Sequence, residues 1–402
     1  MKKALILFAA GTVLSVIPVF AKPASKAIVG AGIYPVENPV SFDKNGVHTD
    51  SENQFGGAYI WGDIVQGNDY VTAAGKIYYR LNSVAEDEDE KQKLDVKRAY
   101  IKVRPTGNDL FEIAGGKLYS YYLPGGYFNL AEIYTGNTRW GKTGVGTKFD
   151  YKGFGGGIAL PIEQYYNVTK SSNNPNSNSG RVSESYTPFS DYFALTAALT
   201  YNFKTLSENV PLEIGFSAFE DFINEDFSFA LSAQYSPDWS GFISKAKFFA
   251  SYSYDAEAYV ANSSFKNISN YNLTELKKCH LASINVRFNL GKVEITQEGE
   301  AGHTKDGDYI PLYSGTQALI PVVDHVAFKP RFYYYAALND KDSDLSRQTF
   351  AFYPRLWFTF GKCTVSAGSI ITCMQAGTNS KNKKLSDWYW GYELPIFAEW
   401  KF

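Results

Sequence analysis

Read in steps of two, the chain repeatedly sorts its side chains into an apolar row and a polar row. Counting back from Phe402, one set is Trp400, Ala398, Ile396, Leu394, Tyr392, Trp390 and Trp388. The other is Lys401, Glu399, Phe397, Pro395, Glu393, Gly391 and Tyr389. Successive side chains of a strand point to opposite faces, so this segment presents one wholly apolar face and one face that carries the charges. The same period sets Phe193, Leu195, Ala197, Leu199, Tyr201 and Phe203 against Thr196, Ala198, Thr200 and Asn202. It sets Phe227, Phe229, Leu231, Ala233 and Tyr235 against Ser228, Ala230, Ser232 and Gln234. Ala282, Ile284, Val286, Phe288 and Leu290 likewise alternate with Ser283, Asn285, Arg287 and Asn289. One such segment also fits a soluble β-sandwich. Many of them, with a polar face unsuited to a protein core, predict strands that meet lipid on one side and water on the other.

The elements this predicts are all strands. An antiparallel transmembrane β-barrel alternates short periplasmic turns with longer external loops. Reading back from a C-terminal strand that runs down into the periplasm, that alternation holds over eighteen segments: 26–34, 55–64, 70–82, 93–104, 109–121, 143–151, 154–163, 191–204, 211–220, 225–236, 241–256, 278–289, 292–302, 309–320, 326–338, 348–360, 362–374 and 388–402. The even count depends on 309–320, whose own pattern is poor, and sixteen strands is the alternative. A barrel of either size leaves an aqueous channel, whereas eight strands fill with side chains.

Composition and the first residues place this barrel. Lys2 and Lys3 precede an apolar run from Ala4 to Phe20 and small residues before a cleavage point after Ala21, which reads as a secretory signal over 1–21. Residues 22–402 then read as one barrel domain, with no apolar run after the signal long enough for a helical span. Aromatic residues make up 16% of the chain, enough for two interfacial girdles. The net charge of −2 gives no sign of nucleic acid as a partner. Cys279, Cys363 and Cys373 cannot all pair and read as free thiols; no cofactor or metal is implied. The acidic run at 85–90 has no calcium-loop spacing.

Taking the polar face of each strand as inward, Lys76, Arg80, Arg98, Lys102 and Arg104 form a basic wall on adjacent strands, and Arg287, Lys329, Arg331 and Arg355 follow further round. Inward acids are fewer, among them Glu294, Glu298, Glu300, Glu393 and Glu399. Basic rings favour anions, so the expectation is a mildly anion-preferring lumen. A slip of one residue in register would reverse every one of these assignments.

The segment from Tyr70 to Pro161 resembles the front of bacterial porins. Arg98–Ala99–Tyr100–Ile101 and the run FEIAGGKLY at 111–119 are similar to their fourth and fifth strands, where a basic residue follows a glycine; the resemblance adds that residue, Lys117, to the basic wall. GVGTKFDYKGFGGGIAL at 144–160 resembles the sixth strand, turn and seventh strand. The likeness covers about a quarter of the chain by motif and the rest by strand pattern only. Residues 122–142 fall where porins carry the third loop, which folds into the barrel, and the resemblance implies a constriction there with Glu132 and Arg139. Porin third loops usually carry several acids; this one has Glu132 alone, beside Arg139 and Lys142. The aromatic end, with Trp400 and Phe402, is similar to the closing strand that the barrel-assembly machinery recognises in bacterial outer-membrane proteins. The resemblance implies a trimeric channel in the outer-membrane lipid for passive diffusion of small hydrophilic solutes.

Other functions fit less well. A barrel hydrolase needs a nucleophile beside a histidine, and His48, His280, His303 and His325 stand without a nucleophile motif, so no enzyme is expected. A selective transporter of sugars, organic acids or hydrophobes is a closer rival, with Tyr333, Tyr335, Trp357 and Tyr389 inward. A surface adhesin or antigen displaying its loops is the third class.

Overall fold

The computed structural model describes residues 24–38, 40–43, 46–49, 57–81, 92–117, 144–161, 166–170, 182–186, 194–222, 226–259, 275–341, 346–375 and 388–402. The expected signal segment 1–21, the acidic run at 85–90 and the expected constriction loop 122–142 with Glu132 and Arg139 lie outside the described residues.

Apart from one 3-10 turn at Phe203–Thr205, the described elements are β-strands. In chain order the barrel strands are β1 (Ala24–Tyr34), β2 (Gly57–Gly67), β3 (Val71–Leu81), β4 (Gln92–Val103), β5 (Phe111–Lys117) and β6 (Gly144–Tyr151). Then come β7 (Phe154–Pro161), β8 (Ala194–Asn202), β9 (Leu212–Asp221), β10 (Asp226–Tyr235), β11 (Ile243–Tyr259) and β12 (Glu275–Leu290). The last third is β13 (Val293–Thr304), β14 (Tyr309–Val323), β15 (Val326–Phe328 and Arg331–Asn339), β16 (Arg347–Tyr353 and Arg355–Phe360), β17 (Cys363–Gly368 and Ile370–Gln375) and β18 (Trp388–Glu393 and Ile396–Lys401).

Each strand pairs antiparallel with the next, and β18 pairs with β1, from Ile28 opposite Lys401 to Ile33 opposite Ile396. The sheet is therefore closed, with eighteen strands. Closure leaves no edge, which is how a β-structure satisfies its backbone in lipid. The weakly patterned segment at 309–320 is a full strand, paired with β13 on one side and β15 on the other. Two short hairpins, Val40–Asp43 with Gly46–Thr49 and Tyr166–Lys170 with Val182–Tyr186, fall in the connections after β1 and β7.

Four strands carry a break at one level. Pro330, Pro354 and Pro395 cannot donate to the ladder, so pairing lapses there and resumes in the same register. Nearby donors find other acceptors: Lys329 N–H donates to Arg355 O at 2.7 Å and Ser369 N–H to Pro354 O at 3.1 Å.

Burial is inverted relative to a soluble protein. On β12, Ile284 is 68% exposed while its neighbours Ser283 and Asn285 are each 2% exposed. Val29, Ile60, Ile101, Ile158, Leu199 and Leu231 are exposed in the same way, as are Trp388, Trp390, Trp400 and Phe402 on the last strand. A continuous outer band of exposed apolar and aromatic side chains fits lipid and not water.

The inner surface has two characters. From β8 to β13 it is lined by Thr196, Ser217, Ser228, Ser251, Ser283 and Thr296, all buried. The expectation that the polar face meets water is not met on this arc: these short side chains lie shielded at the wall, and Ser251 Oγ and Ser283 Oγ bond each other at 2.7 Å. From β14 round to β3 the inner surface is aromatic, with Tyr313, Tyr333, Tyr335 and Tyr353 buried in one cluster against Tyr34.

Candidate functional site

Cations collect at two places on the inner wall. The first spans β2 to β6. Asp63 is opposite Lys76 and Lys76 opposite Arg98, all on the face away from exposed Ile60, Ile64 and Ile101. A β-bulge leaves Lys97 unpaired between Val96 and Arg98, which shifts parity along β4 and turns Arg98, Tyr100, Lys102 and Arg104 inward together. Arg98 bonds Asp63 through its guanidinium. Below it, Glu112 is wholly buried and gathers three cations: Arg104 Nη2 at 2.9 Å, Lys102 Nζ at 3.2 Å and Lys148 Nζ at 3.7 Å. Arg104 also reaches Asp109 at 3.3 Å.

By cross-strand parity Lys76, Arg80, Arg98, Lys102 and Arg104 share the inner face. Lys117 does not join them. It pairs with Ala99 and has the parity of exposed Phe111 and Ile113, so the glycine before it leaves it on the outer face. The sequence reading missed Asp63, Glu112 and Lys148. Their inward parity is visible in the alternation of β2, β5 and β6, but their convergence depends on cross-strand register, which one strand does not encode.

The second place lies beside the proline level of β15 and β16. Lys329 Nζ sits 4.4 Å from the centre of the Trp357 ring, and the Arg355 guanidinium 5.0 Å from that of Phe397 and 5.7 Å from that of Tyr353. Arg331 Nη1 donates to Tyr333 Oη at 3.4 Å. Among the described residues no carboxylate pairs with Lys329, Arg331 or Arg355; aromatic faces hold Lys329 and Arg355, and the Tyr333 hydroxyl accepts from Arg331. Arg287 is separate, 3.7 Å from Glu294.

An aromatic strip joins the two groups. Phe397 lies 5.7 Å from Tyr59, Tyr59 5.5 Å from Trp61, and Trp61 stacks on Tyr78 at 6.2 Å and 14°. Lys76 Nζ closes the row, 5.3 Å from the Tyr78 ring centre. Small residues underneath make room: a Cβ at Gly30 would come within 1.9 Å of the Trp61 ring, and one at Gly32 within 2.5 Å of Phe397. Of the expected inward aromatics, Tyr333 and Tyr335 are buried and Trp357 carries Lys329.

No protein-family model matches the sequence, and no curated protein does. Solved structures do match in fold. The outer membrane protein OpdK of Pseudomonas aeruginosa aligns at 9% identity over 95% of this chain and 100% of its own, with a TM-score of 0.55. OprD of the same organism aligns at 9% identity over 97% of each chain, TM-score 0.52. OccAB3 of Acinetobacter baumannii aligns at 10% identity over 94% of this chain and 99% of its own, TM-score 0.53. With the closed sheet, the inverted burial and the cation-lined interior, the chain has the eighteen-strand barrel fold of the OprD-type outer-membrane porins.

Proposed function

We propose that the chain is an outer-membrane channel through which small hydrophilic solutes and ions diffuse passively, with a mild preference for anions. The observation that carries this reading is the group of inward cations at the proline level, held by aromatic side chains. Lys329, Arg331 and Arg355 have no carboxylate partner among the described residues, and at β4 and β6 Lys102, Arg104 and Lys148 gather round the one carboxylate of Glu112. Fixed positive charge in a lumen lowers the energy of a passing anion and raises that of a cation. A trimer, recognition by the barrel-assembly machinery through Trp400 and Phe402, export by the segment 1–21, and narrowing by 122–142 with Glu132 and Arg139 belong to the same proposal. No catalytic role is assigned.

The aromatic strip favours one variant of this reading, a channel selective for ring-bearing solutes. OpdK has been solved with vanillate, an aromatic carboxylate, and here cations stand beside Trp357, Phe397 and Tyr78.

The test is the reversal potential of reconstituted channels under a salt gradient. Anion preference is expected in the native chain, and replacing Lys329, Arg331 and Arg355 together by Gln is expected to reduce or abolish it. Cation preference in the native chain, or no shift on the triple substitution, would contradict the charge assignment.

A further inference from the structure

At the external rim the barrel holds two histidines that the channel does not use. His280 of β12 and His303 of β13 are direct cross-strand partners. They share the outer-face parity of Ile284, opposite to buried Cys279 and Leu281. The strand expected over 292–302 stops short of His303; β13 extends through Thr304 and brings it onto the sheet. The two imidazoles stack with centroids 4.7 Å apart and planes 23° apart.

Hydrogen bonds fix how each ring is presented. His303 Nδ1 lies 3.0 Å from the carbonyl oxygen of Thr304. A carbonyl only accepts, so Nδ1 carries the proton and Nε2 of the neutral ring keeps its lone pair. His280 Nδ1 lies 2.9 Å from Tyr252 Oη, and Tyr254 packs edge-on against the ring at 5.0 Å and 78°. Both Nε2 atoms are uncommitted among the described residues. Lys305, the nearest cation in the following turn, lies over the Tyr254 ring, 5.8 Å from its centre.

An imidazole held through Nδ1 with Nε2 open is the arrangement in which histidine ligates zinc, nickel or copper. Directly opposed strand residues have Cβ atoms about 4.5–5.5 Å apart, so a rotation of the rings suffices to turn both Nε2 atoms onto one ion. We propose that His280 and His303 form a two-histidine site for a divalent transition-metal ion on the outer rim. Tyr252 and the Thr304 carbonyl position the rings. No third His, Cys, Asp or Glu joins them among the described residues. The remaining coordination positions go to water, which makes the site open and exchangeable.

The experiment is calorimetric titration of Ni2+ into the folded barrel in detergent, for the native chain and for His280→Asn, His303→Asn, Tyr252→Phe and His325→Asn. The native chain is expected to bind one Ni2+ at this site. Each of the first two substitutions is expected to weaken binding by about tenfold or more, with Tyr252→Phe weakening it less and His325→Asn leaving it unchanged. No uptake by the native chain, or uptake unaltered by His280→Asn and His303→Asn, overturns the site. A reading on the native chain alone guards against misfolded variants. Ni2+ is expected to slow diethylpyrocarbonate modification of His280 and His303 but not of His325, and equal rates with and without Ni2+ overturn the proposal.

Discussion

Glu112 shows at the scale of one residue how the inner wall is held together. Its carboxylate is the buried counter-charge to Lys102, Arg104 and Lys148, whose side chains remain 17%, 21% and 32% exposed. Removing one partner of a buried ion pair costs roughly 3–5 kcal/mol, and partial access to water puts this case at the lower end. Glu112→Gln is therefore expected to destabilise the folded barrel by about 3 kcal/mol, seen as a lower urea midpoint at unchanged slope. An unchanged midpoint would mean that water already neutralises the cluster. Inward and outward parity can be tested on one strand. Ile284→Arg puts a charge on the lipid face and is expected to cost about 2–4 kcal/mol at the bilayer midplane, falling toward the interfaces. Asn285→Arg, next to it on the inner side, would instead meet polar neighbours. Equal losses for the two would refute the assigned faces.

At the scale of elements, the strands were legible because period two recurs and because long and short connections must alternate. That second constraint is what identifies β14, where Pro311 and Pro321 spoil the local pattern, and the observed pairing on both sides explains why it is a strand regardless. Lys117 was misassigned for a local reason. A glycine followed by a basic residue suggested the wall, while the ladder with β4 sets the parity and puts it outside. The bulge at Lys97 is equally hidden in the sequence, and it decides which residues of β4 turn inward. The turn between β13 and β14 supplies a pH prediction. The Asp306 carboxylate accepts from Thr304 Oγ1 and from the Asp308 N–H at 3.0 Å, which hold it below the usual carboxylate range. A depressed folded value means that its contribution is complete above the unfolded value near ~3.9 and is lost as pH falls through the folded one. Amide exchange at Asp308 and Tyr309 is expected to keep its protection from pH 8 to 5 and lose it only below about pH 4. Loss of protection between pH 7 and 5 would contradict this origin.

At the scale of the whole molecule, a closed eighteen-strand sheet with an apolar exterior fixes the environment before any function is assigned. Every outward strand position needs lipid, and only the interior is left for solute. The interior is asymmetric: buried hydroxyls and the carboxylates of Asp255, Glu298 and Glu300 line the arc from β8 to β13, and aromatic rings with Lys329, Arg331 and Arg355 beside them line the arc from β14 to β3. That asymmetry was not readable from single strands, since it depends on which faces the closure brings side by side. It puts the expected selectivity on one wall. The measurement that bears most directly on the central claim is single-channel recording of the purified, folded barrel in a planar bilayer. Discrete, ohmic conductance steps that persist without any energy source are predicted. A folded barrel that inserts and passes no current would contradict an open channel.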